Sequence, residues 1–233
     1  EGFHAIQGED VDAWQSIETT RTVNVTLEFN DGGPAGLLPV ADGTKASEVT
    51  LLTGSVGSIL ADTCSTSGTV GGNCSVTITS DVPGDAILEI SFNTEHTRAR
   101  LIFVTRWWAG TADINKKFET TAYTQGPFSA SFTLKQVDEQ GNLLEVISTQ
   151  GCNQVTSDCY FAWQNLPGGY YRLEETAVDS AHEIMAPINF VIDLAHQDYH
   201  APTTENSLRD AYLQILKRAV SYTHLTLPTN REV

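Results

Sequence analysis

Hydrophobic and polar residues alternate in short runs along most of the chain. Five runs in the first half are rich in Val, Ile, Thr or Phe and are bounded by Gly, Asp, Asn or Pro. They cover residues 23–29, 48–53, 74–79, 86–92 and 98–104. A period of two is typical of β-strands that bury one face. Short strands spaced in this way, with turns between them, predict a β-sandwich.

The second half repeats this pattern without repeating the sequence. Its runs cover residues 128–134, 143–147, 160–163, 170–175 and 188–192. Gly141-Asn142 and Pro167-Gly168-Gly169 are the turn signals between them. Helical periodicity is confined to 208–216. The pattern therefore predicts an all-β chain of two tandem β-sandwich domains.

The predicted boundaries follow from these runs. Residues 107–111 form a linker, in which Trp107 and Trp108 pack at the junction of the two sandwiches. The predicted segments are a tail of an upstream segment at 1–20, sandwiches at 21–106 and 112–206, an unassigned stretch at 207–219 and an artefact at 220–233. The last stretch resembles a translated sequencing adapter and is excluded from the fold. The chain opens without the basic and apolar regions of a signal peptide, so we expect a longer reading frame upstream.

The net charge narrows the classes of partner. The formal charge is -16, from 13 basic and 29 acidic residues. Such a chain cannot neutralise nucleic-acid phosphates, and it is repelled by an anionic membrane surface. No run of about 18 apolar residues predicts a membrane span. The charge fits a protein exposed on a cell surface.

The four cysteines form two local pairs, Cys64 with Cys74 and Cys152 with Cys159. Both spacings suit a bridge across a hairpin, and neither pair is a CxxC motif. We expect two disulfides, with free buried thiols as the alternative. Disulfides imply an oxidising compartment outside the cytoplasm.

A repeat-like pattern marks the end of the first half. After Gly72 come an alternating strand, a turn of the form Ser-x-x-x-Gly at 80–84 and a second alternating strand. This order resembles the later strands of bacterial Ig-like adhesin repeats. The resemblance implies an Ig-like spacer domain that holds something away from the cell.

A more specific motif lies in the second half. Residues 161–176 read Phe-Ala-Trp-Gln-Asn-Leu-Pro-Gly-Gly-Tyr-Tyr-Arg-Leu-Glu-Glu-Thr. This run resembles the signature of SpaA-like pilin domains, in which an aromatic strand precedes Leu-Pro-x-Gly-x-Tyr and then x-Leu-x-Glu-Thr. The resemblance spans about residues 112–206. It implies the prealbumin-like fold that is also found in the B-region of collagen adhesins.

Many members of that family form an intramolecular isopeptide bond between a Lys of the first strand and an Asn of the last, assisted by a buried acid. The resemblance assigns Glu175 as the acid, Asn206 as the amide donor, and Lys116 or Lys117 as the amine. Ile114, Lys116 and Phe118 share one strand face, which favours Lys116, whereas a start at Lys117 better matches the family's run of Lys, hydrophobic residue and acid. Burial favours a neutral, nucleophilic amine. The alternative is two surface lysines and a surface Asn.

Signals of enzymatic chemistry are weak. His196 and His200 are four residues apart, as in a helical metal pair, but the Glu of an HExxH motif is absent. Nucleophile elbows, P-loops and dinucleotide fingerprints are also absent. We therefore expect no catalytic residues, no metal and no cofactor.

These observations favour a structural stalk segment of a Gram-positive, cell-wall-anchored adhesin or pilin. Its expected partners are other surface-protein domains or pilin subunits. One alternative is a module that binds a host matrix protein or a glycan. Another is an accessory β-module of a secreted glycosidase.

Overall fold

The computed structural model describes residues 2–7, 12–30, 33–34, 36–93, 98–120, 126–156 and 158–206. All the regular secondary structure within these ranges is β-strand, so the predicted all-β class is confirmed. The predicted helix at 208–216 and the adapter-like stretch at 220–233 lie outside the described residues. In the described part of the chain, no helix is long and apolar enough to cross a membrane.

The chain divides into two compact units. The first unit is Glu1–Gly110 together with Asn165–Gly168, and the second is Thr111–Gln164 together with Gly169–Val233. The change from the first unit to the second along the chain falls inside the predicted linker at 107–111. This segment is almost entirely strand, because one strand ends at Trp108 and the next begins at Gly110.

The first unit contains two sheets. Its strands are β1 (Gly2–Gln7), β2 (Asp12–Ser16), β3 (Thr20–Asn30), β4 (Leu37–Pro39), β5 (Glu48–Leu51), β6 (Ser58–Asp62), β7 (Asn73–Thr79), β8 (Gly84–Asn93) and β9 (Arg98–Trp108). One sheet has the order β1-β3-β7-β6, with β4 also paired to β3. The other has the order β2-β9-β8-β5.

Alternation along the strands builds the core of the first unit. In β8 the residues Ala86, Leu88, Ile90 and Phe92 are buried, and in β7 the buried residues also alternate. Trp107 belongs to this core and is 3% exposed.

The N-terminal boundary differs from the prediction. We expected residues 1–20 to be a tail, but β1 pairs antiparallel with β3, and β2 pairs parallel with β9. Ile17 is fully buried in the core of the first unit. The described residues of this stretch therefore belong to the first unit, since they supply two strands and one core residue that their short, weakly alternating sequence did not reveal.

The second unit also contains two sheets. Its strands are β10 (Gly110–Phe118), β11 (Phe128–Val137), β12 (Leu143–Val155), β13 (Asp158–Leu166), β14 (Gly169–Val178), β15 (Ile188–Ile192), β16 (Asp198–His200) and β17 (Thr204–Asn206). One sheet has the order β13-β10-β16, with β17 also paired to β10. The other has the order β12-β11-β14-β15.

Aromatic side chains fill much of the second core. Phe132 of β11 contacts Phe161 of β13, with 5.0 Å between ring centroids, and Tyr171 of β14 stacks on Phe190 of β15. The first contact joins residues of different sheets, so the two sheets face each other across this core. The arrangement brings the inward faces of β10 and β14 together.

Candidate functional site: a buried lysine and glutamate

Lys116 points into the second unit. Strand β10 buries every second residue, and Ala112, Ile114, Lys116 and Phe118 are the buried set. Lys116 is 0% exposed, whereas its neighbour Lys117 is exposed. Of the two lysines considered from the sequence, the structure places Lys116 inside and Lys117 outside.

Glu175 points inward from the facing sheet. Along β14 the buried residues are Tyr171, Leu173 and Glu175, in the same period of two. Glu174 is out of phase and forms an ion pair with Lys135 near the surface. The sheet alternation thus separates two adjacent glutamates into a buried and a partly exposed one.

The two buried groups approach each other. Lys116 Nζ lies 3.7 Å from Glu175 Oε1, and both side chains are 0% exposed. Removing a lone charge from water is very costly, so such groups either pair as ions or share a proton and become neutral. A neutral amine is a nucleophile, and a neutral carboxylic acid is a proton donor. This pair can therefore supply both chemistries at one point.

The strand that holds Asn206 lies next to β10. Strand β17 pairs parallel with β10, with Thr204 opposite Lys116 and Asn206 opposite Phe118. At a rise of about 3.3 Å per residue, Asn206 is roughly 7 Å along the strand from the position of Lys116. The side chain of Asn206 lies outside the described residues.

A further residue lies at this pair and was missed from the sequence. The main-chain N–H of Met185 donates a 2.8 Å hydrogen bond to Glu175 Oε2, and the Met185 thioether sulfur lies 3.8 Å from Lys116 Nζ. His182, three residues earlier, is fully buried. The sequence held one faint signal, since Met185 is the single methionine of the chain.

The cysteines are joined as expected. Cys64 is bonded to Cys74, and Cys152 to Cys159, with Cα separations of 5.0 and 6.3 Å. Each unit therefore contains one disulfide.

The two histidines that resembled a metal pair have separate acidic partners. His196 Nδ1 lies 3.0 Å from Asp193, and His200 Nδ1 lies 2.7 Å from Asp113. Desolvation raises the pKa of Asp193, but hydrogen bonds from the side chain and backbone of His196 and from the backbone of Ala195 outweigh it, so the pKa is lowered overall. Among the residues that the structure describes, no group of three or more His, Cys, Asp or Glu side chains is arranged to hold a metal ion.

Comparison with known proteins identifies a fold relationship. No protein-family model matches the chain, and no curated protein matches it. An aspartate-to-alanine variant of BcpA, the major pilin subunit of Bacillus cereus, is 14% identical and has a TM-score of 0.52, over 88% of this chain and 70% of that chain.

Two further pilin structures match less closely. Unsubstituted BcpA is 14% identical with a TM-score of 0.47, over 89% of this chain and 70% of that one. The full-length major pilin SpaD from Corynebacterium diphtheriae is 12% identical with a TM-score of 0.40, over 87% and 63% of the two chains. At such identities the likeness concerns the fold alone, and the match to the BcpA variant carries it.

Proposed function

We propose that this chain is a structural segment of a Gram-positive pilin or of the stalk of a related surface adhesin. It acts outside the cell, within a cell-wall-anchored protein, and its partners are pilin subunits or other surface domains. The observation that carries the proposal is the fully buried pair of Lys116 and Glu175 in a fold like that of a major pilin subunit. Its chemistry would cross-link the protein itself, without a separate substrate.

The proposed reaction joins Lys116 to Asn206. A proton passes from the Lys116 ammonium to Glu175 Oε1, and the neutral amine attacks the side-chain carbonyl carbon of Asn206. Glu175 then delivers that proton to the departing nitrogen and, as a carboxylate again, takes the second amine proton, which it passes to the leaving ammonia. A new amide forms, the original C–N bond breaks and ammonia leaves as ammonium. No oxidant, metal or cofactor is required.

Such a bond has a mechanical purpose. Lys116 lies in the first strand of the second unit, and Asn206 lies in the last described strand. A covalent link between these strands would carry a pulling force from one to the other without unfolding the residues between them. Resistance to pulling is what a pilus shaft or an adhesin stalk requires.

Intact-mass spectrometry of the purified full chain tests the proposal. After reduction of the two disulfides we expect a mass lower by about 17 Da than the sequence predicts, because one ammonia is lost per bond. Lys116→Ala, Glu175→Ala and Asn206→Ala should each restore the full mass. Lys117→Ala is the matched control, since this exposed neighbour should leave the loss intact.

Single-molecule pulling supplies the second readout. The unmodified chain should lack the extension that corresponds to unfolding of the second unit, and the Glu175→Ala variant should recover it. A full mass in the unmodified protein would overturn the proposed cross-link. A loss that persists in Lys116→Ala would place the bond elsewhere.

A further inference from the structure

Residues 179–187, here called the positioning loop, connect β14 to β15 beside the buried pair. From this loop the main-chain N–H of Met185 donates to Glu175 Oε2 at 2.8 Å. The other carboxyl oxygen, Oε1, is the one that lies 3.7 Å from Lys116 Nζ. The two oxygens of one carboxyl group therefore have different surroundings.

We infer that the positioning loop selects the oxygen of Glu175 that handles the proton in amide formation. An oxygen that accepts an N–H hydrogen bond is a poor site for a proton, because the hydroxyl hydrogen would face the amide hydrogen. The proton of the neutral acid is thereby directed to Oε1, the oxygen that faces the amine. Met185 is a positioning residue that acts through its main-chain amide, and this inference rests on the proposed cross-link.

The side chain of Met185 has a separate role. Its thioether sulfur lies 3.8 Å from Lys116 Nζ and is at most a weak acceptor. This contact covers the amine and offers it only a weak hydrogen bond. A leucine could cover the amine about as well, whereas the hydrogen bond to Oε2 comes from the main chain of residue 185 and does not depend on the side chain.

His182 anchors the positioning loop. Its Nδ1 lies 2.9 Å from Asp179 Oδ1, within the same loop, and its Nε2 lies 2.9 Å from the carbonyl oxygen of Glu119. Glu119 directly follows β10, the strand that carries Lys116. The imidazole therefore ties the loop that orients the acid to the strand that bears the amine.

Aromatic contacts reinforce that anchor. The His182 ring packs edge-on against Phe118, two residues after Lys116, and against Phe128 at the start of β11. The ring is fully buried, and both its nitrogen atoms face oxygen atoms. Displacement of His182 would release the loop, and with it the amide that fixes Glu175 Oε2.

The test separates the main-chain amide of Met185 from its side chain. Full-length protein is made by cell-free translation, quenched in acid at intervals, and the fraction lighter by about 17 Da is measured over time. An amide-to-ester substitution at position 185 removes only the N–H, and should slow the mass loss about tenfold or more. Met185→Leu keeps the N–H and should stay within about threefold of the unmodified rate.

The opposite order, with Met185→Leu slow and the ester unaffected, would show that Met185 acts by side-chain packing and would overturn the inference. If the unmodified chain itself keeps its full mass, the proposed cross-link fails, and the inference fails with it. Mass loss at the same rate in the unmodified and ester proteins would overturn the inference while leaving the cross-link standing.

His182→Ala tests the anchor against a matched control. His196 also has an Asp three residues earlier, at 3.0 Å, but its side chain is 77% exposed. We expect His182→Ala to slow the mass loss about tenfold, and His196→Ala to leave it unchanged. His182→Gln, which retains a donor, covers the case in which the alanine variant does not fold and should recover part of the rate. Equal rates in the His182 and His196 variants would contradict the role of the anchor.

Discussion

Each unit buries one lysine or arginine among its described residues, and the two are stabilised in different ways. In the first unit, Arg21 donates hydrogen bonds of 2.8 Å to the carbonyl oxygen of Val104 and to Thr105 Oγ1. In the second unit, Lys116 lies 3.7 Å from the carboxyl group of Glu175. One buried cation donates to neutral oxygens, whereas the other faces an acid.

This difference teaches what each site can do. A guanidinium keeps its charge at all ordinary pH values and presents a planar fork of donors, so Arg21 serves as a structural link between β3 and β9. An amine can lose its proton to a neighbouring carboxylate, and it then becomes a nucleophile. Burial of a cation is common to both units, but a guanidinium does not give up its proton, whereas the lysine faces a carboxyl group that can accept one.

The largest expected effect comes from removing that partner. In an Asn206→Ala background, which cannot form the cross-link, Glu175→Ala leaves the Lys116 amine buried without its acid. We expect the free energy of unfolding of the second unit to fall by about 3–5 kcal/mol, the range typical when one partner of a buried ion pair is removed. Hydrogen exchange measured by mass spectrometry on peptides of β10 and β14 reports this loss.

Glu174→Ala in the same background is the matched control. Glu174 pairs with Lys135 where both side chains are about a quarter exposed, so its removal should cost less than about 1 kcal/mol. Equal effects of the two substitutions would show that the burial of Glu175 has no energetic consequence, and the comparison between the units would then break down.

A smaller effect is expected at Arg21. Arg21→Met keeps much of the buried volume but leaves two oxygen acceptors of β9 without this donor, at a cost of about 1–3 kcal/mol to the first unit. Hydrogen exchange on peptides of β3 and β9 measures it, with β14 as the internal reference. If Arg21→Met destabilises the first unit by more than Glu175→Ala destabilises the second, the expected order of these two effects is wrong.

The smallest effect is an acid dependence of the first unit, where the buried Glu89 pairs with the exposed Arg100. A hydrogen bond from Arg100 to Glu89 lowers the pKa of Glu89 below its usual value near 4.5, and a bond from Ser91 adds to it. Because the folded pKa is depressed, the stabilisation is present above that usual value and is lost as pH falls through the folded pKa.

Arg100→Met should therefore reduce the drop in melting temperature of the first unit between pH 6 and pH 3. Arg98→Met, at an exposed position of the same strand, is the control and should leave the drop unchanged. An identical pH response in both variants would show that the pairing with Arg100 does not contribute to acid sensitivity.

The strands were largely predictable because alternation is a local property of the chain. Each of the ten predicted runs overlaps a strand, and 188–192 matches β15 at both ends. The inward direction of Lys116 and of Glu175 also followed from a period of two. The strands that were missed include β2 and β6, which have five residues each and bury little of their side chains.

For the choice between Lys116 and Lys117, two kinds of sequence evidence disagreed. Strand alternation favoured Lys116, whereas the family-like run favoured Lys117. The structure buries the first and exposes the second, because Ile114 and Phe118 already commit their face of β10 to the core. Hydrophobic burial on both sides of a position thus outweighed the similarity of a short motif.

By itself, the sequence determined the all-β class, the positions of the main strands and the two disulfide pairs, since these depend on residues close together in the chain. Only the tertiary structure decided that the amine of β10 meets the acid of β14, that Met185 contacts both, and that His182 packs against Phe118 of β10. Those neighbours belong to different sheets and to a loop. The periodicity of a sequence does not predict which loop will pack over a given pair of buried side chains. Their meeting depends on how two sheets pack face to face, which is a property of the whole unit rather than of any segment.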